Sequence, residues 1–192
     1  IPALITQKRF IGDDKVYHVN YIRSNAFANS SIISITIPEG VKSIENRCFS
    51  GCSYLKTISL PKGLQYIGAY AFNGCKSLVS IVIPDSVTRI EENAFSCLKL
   101  NNNLIFPTNL TYIGKGALSN ASIKGTLVFP SNVSYIGAES FINTNISGLL
   151  NFPTAIPVIR SATFQNTDIE QLFTGDGLEQ IEDNAFADCK YL

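Results

Sequence analysis

The sequence predicts a mainly β fold, a right-handed solenoid of parallel β-strands wound into about eight coils of 22–23 residues. Three observations predict it. Pro38, Pro61, Pro84, Pro107, Pro130 and Pro153 stand 23 residues apart without exception. Random placement does not do this six times, and a fixed step of this size marks a solenoid or an array. Apolar columns keep the same step. Ile35, Ile58, Ile81, Leu104, Leu127 and Leu150 form one; Ile44, Ile67, Ile90, Ile113, Ile136 and Ile159 form another, which Ile22 and Ile181 extend at steps of 22. Finally, each repeat holds two short stretches in which apolar and polar residues alternate, the mark of half-buried strands.

In chain order, residues 1–18 do not match the repeat. A-L-I-T and K-R-F-I-G-D-D-K-V within them predict an irregular cap or a degenerate repeat, and 19–192 one continuous solenoid. Each repeat then opens on a first strand, such as I-S-I-T-I (33–37), L-K-T-I-S-L (55–60) or L-V-S-I-V-I (78–83). Proline ends that strand because it has no N–H to give to a ladder. A shorter second strand follows: V-K-S-I (41–44), L-Q-Y-I (64–67), V-T-R-I (87–90).

Five residues after the repeated Ile comes Phe27, Phe49, Phe72, Phe95, Leu118, Phe141, Phe164 or Phe186. The A-F segment around it is too short for a helix, and predicts a tight turn or a single 3₁₀ turn with the ring driven inward. Repeat 7 carries an extra proline, Pro157, in its second strand, and Asp176 replaces proline in the last repeat, so sheet regularity is in question near 155–178. No repeat buries its apolar face alone. Stacked coils do, and eight strands about 4.8 Å apart make a rod roughly 35–40 Å long.

Composition narrows the function classes. The chain has 192 residues, 45% hydrophobic and only 16% charged. A globule averages about 25% charge, so these apolar residues must be hidden in a regular way. Lys and Arg number 15, as do Asp and Glu, and the balance offers nucleic acid or anionic membrane no broad attraction. No apolar run approaches the roughly 20 residues of a membrane span, so no membrane insertion is expected of this segment. The chain starts at Ile1 and contains no Met, which predicts a removed leader or a longer parent chain. The missing polar cap after D-C-K-Y-L predicts continuation beyond Leu192.

Residues that carry chemistry are few. His18, the single histidine, sits beside the first second-strand and has no nucleophile motif; it reads as a surface or capping residue. Cys48, Cys52, Cys75, Cys97 and Cys189 form no CxxC pair, so no metal and no cofactor is expected. Cys52 and Cys75 share a column in neighbouring coils, and two readings stand: buried thiols, or a disulfide across about 5 Å between Cα atoms. Glu45 and Glu91, with Gly68 between them, lie roughly 10 Å apart, the separation of an inverting glycosidase pair, but without a third polar partner.

Two outward columns are better candidates for binding. Tyr66, Arg89, Tyr112 and Tyr135 precede the repeated Ile in consecutive coils. They predict either a partner-binding stripe or rings that stack to stabilise the sheet. Val82, Ile105 and Val128 form an exposed apolar ladder on the first strands. Five N-x-S/T sequons, at Asn29, Asn109, Asn120, Asn132 and Asn145, matter only in a eukaryotic secretory pathway.

The motif I-P-x-x-V-x-x-I-G-x-x-A-F resembles the BspA-like leucine-rich repeat family, whose Treponema-type repeat is 23 residues long. The match is seen in I-S-L-P-K-G-L-Q-Y-I-G-A-Y-A-F-N-G-C (58–75), recurs in F-P-S-N-V-S-Y-I-G-A-E-S-F (129–141), and covers about 19–192. The family cysteine three residues after Phe is kept as Cys52, Cys75 and Cys189, becomes Ser30, Ala121, Thr144 or Thr167 elsewhere, and is offset by one at Cys97. The resemblance implies a leucine-rich-repeat solenoid that is secreted or on the cell surface. It also implies adhesion to a protein or glycan ligand on a host or neighbouring cell, and no catalytic residues. A structural spacer presenting another domain is the alternative function, and a glycan-active solenoid enzyme a distant third.

Overall fold

The computed structural model describes Ala3–Leu4, 19–100, 104–123 and 125–192. Among the described residues every element is a β-strand and every ladder is parallel. The solenoid makes about six turns, slightly fewer than the eight repeats counted in the sequence.

Two sheets run along the coil stack. The second-strand sheet is the regular one. It contains β3 (Ser43–Ile44), β5 (Tyr66–Ile67), β6 (Arg89–Ile90), β7 (Tyr112–Ile113) and β8 (Tyr135–Ile136) in consecutive order. Ile22 extends it by a bridge to Ile44. After a break, β10 (Val158–Ile159) pairs with β12 (Gln180–Ile181). The first-strand sheet is fragmentary. β1 (Ala3–Leu4), β2 (Ser34–Thr36) and β4 (Thr57–Ser59) form one piece. β9 (Ser147–Asn151) and β11 (Asp168–Phe173) form another, with a register shift between Ile169 and Gln171. Residues 79–83 and 104–106 are not strands. The alternation in L-V-S-I-V-I had predicted one at 78–83. Propensity alone does not form a strand where no neighbouring rung comes within bonding reach.

Proline acts as expected at the corner. The Pro38, Pro61 and Pro84 carbonyls accept the N–H groups of Val41, Leu64 and Val87 at 3.0–3.1 Å, turning the chain from first to second strand. The A-F segment takes the first of its two expected forms, a tight turn, and not a 3₁₀ turn. In every repeat two residues four apart take positive φ, for example Arg47 (55°) with Gly51 (72°) and Tyr70 (58°) with Gly74 (72°). This reversal points alternate amides along the solenoid axis. Arg47, Phe49 and Gly51 donate to the carbonyls of Ala69, Ala71 and Asn73 in the following coil, each at 2.8 Å. The amides between them close short bonds within the turn: Cys48 to Glu45 and Ser50 to Arg47. Every turn amide is thus satisfied, as burial requires.

The core is made of the predicted columns. Ile44, Ile67, Ile90, Ile113, Ile136 and Ile159 are buried in a single row. Phe27, Phe49, Phe72 and Phe95 stack face to face, with ring centroids 5.2, 5.4 and 5.5 Å apart, until Leu118 interrupts the pile. Phe141, Phe164 and Phe186 resume it. Phe129 and Phe152 meet this second pile edge-on, joining the first-strand side to the turn side. Such pairs contribute about 0.5–1.5 kcal/mol beyond their buried area.

Candidate functional site

The structure puts the two candidate columns on different sheets. On the second-strand sheet Tyr66, Arg89, Tyr112 and Tyr135 are in register, each opposite the next. Tyr112 and Tyr135 stack at 4.6 Å with planes 8° apart. The Arg89 guanidinium lies 3.9 Å from the Tyr112 ring centroid, and Arg160 caps the other end 4.2 Å from Tyr135. Sequence reasoning missed this role of Arg160, because it sits two positions further along its strand than the tyrosine column. The ring faces of Tyr112 and Tyr135 are therefore covered by their neighbours. Burial, followed by the Glu91 carboxylate, pushes the phenols of Tyr66 and Tyr112 up. This geometry favours the stacking alternative for the stripe.

The carboxylates beside the stripe are engaged locally. Glu91 takes both Nε and Nη2 of Arg89, at 2.9 and 2.8 Å, and Glu45 accepts from the Ser43 hydroxyl at 2.8 Å. Each is held by its own strand, so the two do not converge on a common point as a hydrolytic pair must. Among the described residues no cluster of His, Cys, Asp or Glu has the form of a metal site. His18 lies outside the described residues.

The cysteines are free thiols. Cys52 donates to the Phe27 carbonyl one coil back at 2.9 Å, and Cys75 to the Phe49 carbonyl at 3.1 Å. Thr144 and Thr167 use their hydroxyls on the Phe carbonyls of their own turns at 2.8 Å. The column is small and polar because it satisfies that carbonyl. Burial pushes the Cys48 and Cys75 thiols up to about 12. Cys97, offset by one, falls on a left-handed corner and is exposed.

The first-strand face has the opposite character. Val82, Ile105 and Val128 are 83%, 80% and 70% exposed in consecutive coils. Around them the outward positions are Ser34, Thr36, Thr57, Ser59, Ser80 and Thr126, none of them charged. The rungs of coils 5 and 6 touch at a Lys99–Ser122 bridge and then part. Between them lies an open groove of about 360 Å³ lined by Leu104, Ile105, Phe106, Thr108, Thr126, Val128, Phe129 and Pro130. The sequence marked the outward side chains but not the groove, which arises from the absent ladder at 104–106. Exposed β-branched side chains beside an apolar groove form a surface suited to another apolar surface.

Comparison with known proteins fits this architecture. The chain matches the model described as "BspA type Leucine rich repeat region (6 copies)" over residues 20–147 and 126–192. No curated protein matches it. Its fold is similar to the leucine-rich repeat protein of T. pallidum, with TM-score 0.54 and 22% identity, over 93% of this chain and 71% of that one. A leucine-rich repeat protein from Bacteroides ovatus gives TM-score 0.55 and 17% identity over 98% and 73%. The pneumococcal vaccine antigen PcpA gives TM-score 0.60 and 22% identity over 98% of this chain and 58% of that one. At these identities the likeness is one of fold.

Proposed function

The chain belongs to the BspA-type leucine-rich repeat family, and from that membership we propose that it is a non-catalytic scaffold, secreted or on a cell surface, that binds a protein partner through its first-strand face. One observation carries the proposal: Val82, Ile105 and Val128 stand exposed in adjacent coils beside an apolar groove. Apolar ladders of this kind are rare on chains that meet only water. The covered ring faces of Tyr112 and Tyr135 favour protein over glycan, since sugar rings are gripped by exposed aromatic faces. The description of the pneumococcal fold relative as a vaccine antigen supports an extracellular setting.

The test compares the wild-type chain with a Val82→Ser, Ile105→Ser, Val128→Ser variant. Both are passed over immobilised extracellular-matrix proteins and a glycan array. Binding to a matrix protein by the wild type, lost in the folded triple variant, is the expected result. Retention by the triple variant together with loss in a Tyr66→Ser, Tyr112→Ser, Tyr135→Ser variant would move the site to the other sheet. Binding confined to glycans would overturn the protein reading, and binding to neither class would favour a structural spacer.

A further inference from the structure

The second-strand ladder is cut at one junction. In the earlier coils the residue two before the repeated Ile donates its N–H to its counterpart one coil back: Gln65 to Lys42, Thr88 to Gln65, Thr111 to Thr88 and Ser134 to Thr111, at 2.8–3.0 Å. The next member of that series is Pro157, which has no N–H to give. A second series runs from the residue after the Ile: Gly68, Glu91, Gly114 and Gly137 donate to the carbonyls of Ile44, Ile67, Ile90 and Ile113 at 2.8–2.9 Å. At the junction the Ile136 carbonyl instead receives the Arg160 side chain, Nη1 to oxygen at 3.3 Å. Both series resume one coil later, with Glu179 donating to Pro157 and Glu182 to Ile159, each at 2.8 Å.

The other two sides of the coil stay joined. Glu139, Phe141 and Asn143 donate across the junction to Ser161, Thr163 and Gln165 at 2.9–3.0 Å. Val128 bridges to Asn151 on the first-strand side. The junction is therefore attached along two edges and, on the third, held by a guanidinium that bonds Ile136 and lies on Tyr135.

We propose that Arg160 is a latch: with no donor at Pro157 to reach Ser134, its side chain takes the Ile136 carbonyl in place of its own backbone N–H and closes a hinge between the Ile136 and Ile159 coils. Without it, the last two coils part from the stack at the second-strand and turn edges, about the first-strand edge. Arg160 is a positioning residue and stands apart from the partner-binding face.

Hydrogen exchange on the full chain tests this. In Arg160→Ala the amides of Glu139, Phe141 and Asn143, which bond across the junction, are expected to exchange about tenfold faster, while 67–95 stay as in wild type, because opening is local. Pro157→Thr restores a donor, so the Pro157→Thr/Arg160→Ala double variant is expected to regain wild-type protection. Arg160→Lys, which keeps the charge but loses the planar fork, gives intermediate rates and serves if the alanine variant does not fold. Unchanged exchange at Glu139, Phe141 and Asn143 overturns the latch. So does uniform acceleration along the whole chain, or failure of Pro157→Thr to rescue.

Discussion

The two flanks of this solenoid are built from the same repeat and end in opposite states. On the second-strand and turn flank, amides, rings and thiols find a partner one coil away. Isoleucines pile on isoleucines, and Arg89 and Arg160 close over tyrosines. On the first-strand flank the ladder is broken among the described residues: strands pair near the two ends, isolated bridges join Lys99 to Ser122 and Val128 to Asn151, and Val82, Ile105 and Val128 point outward largely exposed. The difference shows that a repeat does not have to satisfy all its edges to hold a stack together. Continuous bonding along one flank fixes the coils, and the other is left free to face a partner.

Substitutions that break this contrast differ in size. The largest effect is expected at Phe72, fully buried and stacked on both Phe49 and Phe95. Phe72→Ala should cost about 3–5 kcal/mol in urea or thermal unfolding. Val82→Ala, on the open flank, should stay within about 0.5 kcal/mol. Equal losses at the two sites would remove the distinction between the flanks.

Next comes Gly137. A Cβ there would sit 2.5 Å from the Lys115 amide nitrogen and 2.6 Å from the Gly114 carbonyl carbon, both backbone atoms that cannot step aside. Gly137→Ala should cost about 1–3 kcal/mol by forcing coils apart, read as a lowered melting temperature. A silent substitution would mean that the coils are less tightly seated than these distances imply.

Ser140 offers a change in the other direction. Its buried hydroxyl oxygen has no partner, in a column that holds Ala26, Ala71, Ala94, Ala117 and Ala185, with Cys48 and Thr163 in the remaining coils. Ser140→Ala should stabilise by about 1 kcal/mol, since an unpaired polar group leaves the core. Destabilisation would reveal a hydrogen bond at that hydroxyl. The smallest effect is chemical. With their thiols pushed up to about 12 by burial, Cys48 and Cys75 hold almost no thiolate at pH 8.5. Alkylation at that pH should modify exposed Cys97 long before either. Comparable labelling of Cys75 would show that the turn flank breathes.

Much of this was legible in the residues. The prolines fixed the step, and the Ile and Phe columns named the core correctly, because inward positions must be apolar in every coil. Val82, Ile105 and Val128 were read as outward and are outward. The paired left-handed corners were missed, although one of the two columns carries a signal: Asn29, Gly51, Gly74, Cys97, Asn120, Asn143, Asn166 and Asp188. Asn, Gly and Asp are the residues that tolerate positive φ. Its companion column carries the signal in only half its members, Asn25, Asn93, Gly116 and Asn184; at Arg47, Tyr70, Glu139 and Ala162 side-chain type says nothing and only the bond to the next coil explains the conformation. The groove was not legible at all. It depends on two rungs failing to pair, and strand alternation in the sequence was as good there as where pairing occurs.

The turn amides reach forward by one fixed step, and this has a consequence for how such a chain can vary in length. Because Arg47 meets Ala69 as Tyr70 meets Glu92, removing residues 62–84 would rejoin Pro61 to Asp85 and present each donor with an equivalent acceptor. Whole repeats are therefore interchangeable units for recombination. Loss of a single residue within a strand is not equivalent, since it turns every later side chain of that strand inside out.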